Sequence, residues 1–337
     1  MTTNTNLTHS FGLGQGTGNA TLLENPELCT LQTCDLTLAA FLYLPNLPGN
    51  AIFAGIFGAC TIGQLAMGFR FKTWGYTTAM ILGLLLEVMG YIGRILLNDS
   101  PFNNDYFLLY LITLTIAPAF MTAAIYLCLS RIVIVYGEHL SRFKPRTYTL
   151  VFCTCDLISL VLQAVGGAIA SSADTQDDSD LGKNIMLAGL GFQVFSLALF
   201  ALACGEFAWR VRSSKGSRNE RYTELTRSKL FKGFLISLFV ASATIFARCV
   251  YRCVELSGGF HSELFVSHEA VFMILEGGMI SIATISLTLF NPAMCFRGAW
   301  HEANFTWRTS STKRASQKSI DIESLNSGIP LSKISSR

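Results

Sequence analysis

Seven apolar stretches dominate the chain, near residues 48–69, 74–97, 106–130, 147–170, 184–208, 230–251 and 269–290. A helix rises about 1.5 Å per residue, so about 20 apolar residues cross the roughly 30 Å hydrocarbon layer of a bilayer. In lipid the backbone must satisfy its own hydrogen bonds, which makes each run a helix. Only 14% of the 337 residues are charged, too few for a soluble domain of this size to hide that much apolar surface. Turn and charge signals punctuate the runs: Pro45 and Pro48 before the first, Asn98 to Pro101 after the second, Asn291-Pro292 after the seventh. The expected fold class is an all-α integral membrane protein, a seven-transmembrane-helix bundle. The membrane domain spans 46–295, between a polar tail at 1–45 and a Ser-, Thr-, Lys- and Arg-rich tail at 296–337 whose composition predicts disorder.

Basic residues set the expected direction of threading, because cytoplasmic loops retain Lys and Arg. With the N-terminus outside, 20 of the 25 basic residues fall on the cytosolic side: Arg70 and Lys72, three from Arg142 to Arg146, eight from Arg210 to Lys232, and seven from Arg297 onward. The outer side keeps Lys183 and the border residue Arg252, while Arg94, Arg131 and Arg248 fall inside spans. The same orientation places the sequons at Asn6, Asn19 and Asn98 outside and that at Asn304 inside. Asn6 and Asn19 are the glycosylation candidates. No charged and apolar leader precedes residue 40, so the first span is expected to act as its own targeting signal. Cys29 and Cys34 share the external tail, where a disulfide is a candidate. Cys60, Cys128, Cys153, Cys155, Cys204 and Cys295 lie in or beside apolar runs and read as small core residues. A formal charge of +3 with no basic and aromatic patch argues against nucleic acid as a partner. The basic C-terminal tail suits contact with anionic lipid, and Lys313-Arg314-Ala-Ser316 has the pattern of a basophilic kinase site, although a solvated tail is the commoner meaning of such matches.

Ionisable residues at membrane depth cost about 2.5–3.5 kcal/mol each on insertion scales, so they are expected to face the bundle interior. In the second span Glu87, Tyr91 and Arg94 follow i, i+4, i+7 spacing and share one face. They form either a functional stripe or an internal Glu–Arg pair that only joins helices. The fourth span repeats the pattern with Asp156, Gln163 and Gly167, and Gly166 with Gly167 invites close backbone approach. Arg248, Arg252 and Glu255 share a face of the sixth span, and Glu269 and Glu276 lie on the seventh. For Arg252 and Glu269, near helix ends, snorkelling to water is the simpler expectation. Together these groups predict a cavity, polar and anionic within, that holds an amine bearing an alkyl chain. Glu87, Asp156 and Glu276 are the candidates for the amine or a proton, and Arg94 and Arg252 for gating pairs or a phosphate head group.

An ordered set of motifs points further. It runs through Tyr43-x-Pro45, Gly49-Asn50-x-x-Phe53, Glu87-x-x-Gly90-Tyr91-x-Gly93-Arg94, Ala117-Pro118-x-Phe120 with Ala123, Tyr126 and Arg131, and Asp156 with Gln163-x-x-Gly166-Gly167. It continues through Gly189-x-x-x-Gln193 and Arg248-x-x-Tyr251-Arg252-x-x-Glu255 with Gly258 and Gly259. This set, covering about residues 40–295, resembles the RTA1-like family of fungal lipid-translocating exporters. The resemblance implies a seven-helix protein that exports or flips sphingoid long-chain bases or related lipids and confers resistance to toxic amphiphiles. Membrane lipids or an amphiphilic amine are the expected partners, and the plasma membrane is the expected location of this multi-pass protein. The chain departs from the family pattern at Phe272 and Glu276, where Tyr and Asp are expected, and at Asn291-Pro292 in place of His-Pro.

Two other classes fit less well. A seven-helix receptor or lipid sensor shares the helix count, but Arg131 follows Leu129-Ser130 rather than an acidic residue, and Ala-Met-Cys follows Asn291-Pro292. An intramembrane hydrolase needs a metal site or an activated nucleophile. The five histidines, His9, His139, His261, His268 and His301, all lie in tails or loops, and no GxSxG is present. The expectation is a non-enzyme without metal or cofactor.

Overall fold

The two-residue link between the first two spans shows how local sequence sets the topology. Helix α1 (Leu47–Phe71) opens on Asn46, whose side chain accepts the Gly49 N–H, with Pro48 preset in its first turn. It closes on Lys72 at φ 56°, whose N–H returns to the Gly68 carbonyl, and α2 (Trp74–Asp99) begins two residues later. Asn103 then accepts from Asp105 and Tyr106 to cap α3 (Asn104–Tyr136), which ends at Gly137. Pro145 starts α4 (Pro145–Ser171), followed by α5 (Gln176–Ser213), a one-turn helix at Thr223–Arg227, and α6 (Lys229–Ser257). Helix α7 is composite: Glu269–Phe272, a π-helical turn at Met273–Gly278, and Met279–Leu289, with a short cap helix at Pro292–Cys295. The computed structural model describes residues 43–137, 140–142, 144–172, 175–213, 222–258, 269–296 and 300.

Among the described residues the protein is all-helical, and seven helices are long and apolar enough to cross a membrane. Three clearly outrun the expected spans, α6 by continuing to Ser257. α3 continues to Tyr136, and the 38 residues of α5 reach about 57 Å, well beyond a bilayer core. Sequential helices pack side by side, α7 closes against α6 and α1, and α3 also touches α6. Leu150, Leu157, Val161 and Val165 all face outward from α4, the least enclosed helix. With no hydrophobic drive between helices in lipid, close backbone approach carries the α4–α5 contact. A Cβ built on Gly166 would sit 2.5 Å from the Met186 nitrogen and 2.7 Å from the Gly182 carbonyl oxygen. Gly167 meets nothing within 4 Å, so of the expected glycine pair only Gly166 lies at the crossing.

Asn6, Asn19, Cys29, Cys34 and nearly all of both tails lie outside the described residues. Asn98 is half-buried at the end of α2, and its amide donates to the Pro45 carbonyl at 2.8 Å. That sequon is engaged in the fold rather than presented to solvent. The eight cysteines within the described residues are unpaired.

Candidate functional site

Every polar-core residue named from the sequence is buried, but they separate into distinct groups. The first closes the bundle end formed by the starts of α1 and α7. Arg94, with no exposed surface, donates to Asn50 Oδ1 and to the Tyr43 hydroxyl, each at 3.2 Å. Its guanidinium lies 4.0 Å from the centre of the Phe272 ring and 4.0 Å from Glu269 Oε1. The Asn46 N–H also donates to Glu269, so the segment before α1 is strapped to α2 and α7. Burial holds the Tyr43 phenol above its usual range against the opposing pull of Arg94, keeping it neutral.

The second group fills the space between α2, α6 and α7. Arg248 pairs with Glu276 and donates to the Leu114 carbonyl of α3. That carbonyl is available because Pro118, four residues on, has no N–H to return to it. One turn along α6, Arg252 pairs with Glu255 at 2.6 Å and approaches Glu276 at 4.0 Å, while Tyr251 donates to Glu255 at 3.0 Å. Helical periodicity alone puts Arg248, Arg252 and Glu255 on this face. The π-helical turn of α7 carries Glu276, and its Gly277 admits the Tyr91 hydroxyl and the Phe53 ring. Glu87 has Arg248, Arg252 and Glu276 as charged neighbours, yet its Oε1 and the Tyr91 hydroxyl have no hydrogen-bond partner among the described residues.

A third group surrounds Asp156 on α4. Thr122 donates to its Oδ2 at 2.7 Å and Tyr126 at 3.0 Å, both from α3, while Oδ1 stays unpartnered. Two turns further along α4, Gln163 donates to Gln193 of α5 at 3.0 Å, beside the glycine crossing. These amides join two helices and do not enter the Asp156 group.

A cavity of about 640 Å³ opens between α3, α5 and α6, in the half of the bundle nearest the α5–α6 connection. Leu129, Phe200, Phe207, Leu238 and Phe246 give it an apolar wall, and Thr122 and Tyr126, the two donors to Asp156, line one end. Arg212 stands at the other end. From Leu197 to Arg212 the α5 wall runs about 22 Å. The volume lies within the range of about 300–1,000 Å³ usual for small-molecule sites.

The structure corrects three expectations. Glu87 and Arg94 do not pair with each other, because seven residues along one helix separate them by about 10 Å. Arg252 does not snorkel: it is 5% exposed and bound to Glu255. Glu269, near its helix end, is partly exposed as expected. The large cavity is apolar rather than anionic, because most of the carboxylates are taken up by arginines elsewhere. Residue patterns had not singled out Thr122, the Leu114 carbonyl or the π-helical turn. A mid-span proline facing a span-buried arginine was the available signal for the second.

Seven apolar helices enclosing buried, hydrogen-bonded charge define a multi-pass membrane protein. The chain belongs to the RTA1-like family: residues 80–299 match the family described as RTA1 like protein. It is 34% identical over 283 residues to the sphingoid long-chain base transporter RSB1 of Saccharomyces cerevisiae (strain Lalvin EC1118 / Prise de mousse), covering 76% of this chain and 74% of that protein. From strain ATCC 204508 / S288c of the same yeast, protoporphyrin uptake protein 1 is 27% identical over 208 residues, 61% of this chain and 65% of its own. Protein RTA1 of that strain is 28% identical over 220 residues, 64% and 66% of the two chains. No solved structure matches significantly.

Proposed function

We propose that this protein is a lipid-translocating exporter that moves sphingoid long-chain bases or closely related amphiphiles across the membrane. The observation that carries this reading is the apolar cavity with a carboxylate held behind one end. An alkyl chain lies along Leu129, Phe200, Phe207 and Phe246, and its ammonium reaches the Thr122–Tyr126–Asp156 group. Similarity to a named sphingoid long-chain base transporter over three quarters of the chain supports the same substrate class.

The positive-inside pattern supports an N-terminus outside and a C-terminus in the cytosol. In that orientation the cavity occupies the cytosolic half and receives substrate from the inner leaflet, past Arg212. The polar tail at 1–45 is extracellular, with Asn6 and Asn19 glycosylated and Cys29 bridged to Cys34, and the tail at 296–337 is a cytosolic appendage. The protein works in the plasma membrane, performs no covalent chemistry and uses no cofactor. Glu87, Tyr91, Arg94, Gln163, Gln193, Arg248, Arg252, Glu255 and Glu276 form the polar framework around which the helices move.

The test is efflux of a labelled sphingoid base from loaded yeast cells producing the protein, beside Gly205→Phe and Asp156→Asn variants matched for surface abundance. Gly205 lines the cavity and its Cβ position meets nothing within 4 Å, so a side chain can start there and Phe is expected to occupy cavity volume. Faster efflux lost in both variants is the expected result. Unchanged efflux on producing the wild-type chain refutes the reading.

A further inference from the structure

The core between α2, α6 and α7 holds unequal numbers of opposite charges. Arg248, Arg252 and Glu255 enter it from α6, Glu276 from α7 and Glu87 from α2, and all five are between 1% and 5% exposed. Three carboxyls therefore face two guanidiniums. Glu276 is engaged by Arg248 and Glu255 by Arg252. Glu87 makes no ion pair among the described residues, and its Oε1 has no hydrogen-bond partner there. The other ionisable groups nearby are Tyr91 on α2, Tyr110 on α3, and Tyr251 and Cys249 on α6; Arg94, further along α2, is held by Asn50 and Tyr43 and faces its own carboxylate, Glu269 of α7. None of them supplies a further cation to Glu87.

A net charge enclosed by hydrocarbon is costly, and one bound proton removes it. We propose that Glu87 is the proton-binding site of the bundle, and that one proton passing inward through it drives each molecule of amphiphile outward. This rests on the transport reading above. A proton from the outer water converts the Glu87 carboxylate to the acid and leaves the cluster neutral. Its release to the cytosol restores the carboxylate, which then competes with Glu276 for Arg248. Arg248 is the tie between α6, α7 and the Leu114 carbonyl of α3, so that competition loosens three helices together. The π-helical turn carrying Glu276 gives α7 a place to change register, a use such turns often have at functional sites. Phe246 of the cavity wall lies two residues before Arg248 on α6, so movement of this tie reaches the substrate site.

The experiment uses the purified full chain and its Glu87→Gln variant, which keeps the shape of the neutral acid and is checked for monodispersity. Infrared spectroscopy reads the carbonyl band of a protonated carboxylic acid without any substrate. A band in the wild type that loses intensity in Glu87→Gln is expected, Asp156 being another buried carboxyl with an unpartnered oxygen; no band, or one of unchanged intensity in the variant, overturns the site. In liposomes, accumulation of a labelled sphingoid base by wild-type protein is expected to change by about tenfold per unit of imposed pH gradient for one proton per substrate. Glu87→Gln is expected to transport at a rate independent of the gradient. Wild-type transport indifferent to the gradient overturns the coupling while leaving the exporter reading intact. The infrared band without transport of any base overturns the exporter reading and the coupling, and upholds the proton site alone.

Discussion

Adding one methyl group at Gly166 tests whether backbone contact or side-chain chemistry holds α4 to α5. The built Cβ meets three backbone atoms, the Met186 nitrogen at 2.5 Å, the Gly182 oxygen at 2.7 Å and the Met186 Cα at 2.9 Å. Ordinary contact begins near 3.4 Å, so the helices must part by about 0.9 Å at this point. Backbone cannot swing aside as a side chain can, and Ser159, Gln163 and Gly189 around the same crossing must move with it. The expected cost of Gly166→Ala is about 1–3 kcal/mol, the usual range for overpacking, toward its upper end because no rotamer relieves it. Gly167→Ala is the internal control. Its Cβ meets nothing within 4 Å, so the substitution should leave stability unchanged or raise it by about 0.5–1 kcal/mol through helix propensity. Thermal denaturation of both purified variants, followed by loss of the monodisperse peak, should separate them clearly. Equal stability of the two variants would refute the assignment of the α4–α5 contact to Gly166.

The Arg248–Glu276 pair should behave as a buried pair does: Arg248→Met alone costs about 3–5 kcal/mol, whereas Arg248→Met with Glu276→Met recovers most of the loss, read from the same denaturation assay as a double-mutant cycle. Pro118→Ala restores an N–H to the Leu114 carbonyl in competition with Arg248, so it should raise thermal stability while slowing efflux. Tyr126→Phe and Thr122→Val each remove one donor to Asp156, and each should weaken apparent affinity for a sphingoid base while leaving the apolar wall intact, measured as the concentration giving half-maximal efflux. Arg94→Lys keeps the charge but loses the planar stacking on Phe272 and a fork of donors, and should destabilise the fold by about 2 kcal/mol in thermal melts.

The number of spans and the burial of the polar residues were legible in the residue pattern alone. Both follow from local rules: the bilayer sets a length for apolar runs, and helical periodicity assigns Arg248, Arg252 and Glu255 to a common face whatever the neighbours are. The pattern also carried the family likeness, because Glu87, Arg94, Asp156 and their glycines recur in a fixed order along the chain. Which charges meet was decided only by tertiary structure. Arg94 and Glu87 share a face in sequence, yet Arg94 bonds to Tyr43 and Asn50 near the start of α1, while Glu87 faces the charges of α6 and α7 without a bond to its Oε1. The π-helical turn that presents Glu276, with Gly277 packed close to Tyr91 and Phe53, leaves no mark in composition. The cavity is likewise a property of three helices that touch imperfectly. A void is made of distances between surfaces, and no residue in α3, α5 or α6 encodes those distances alone.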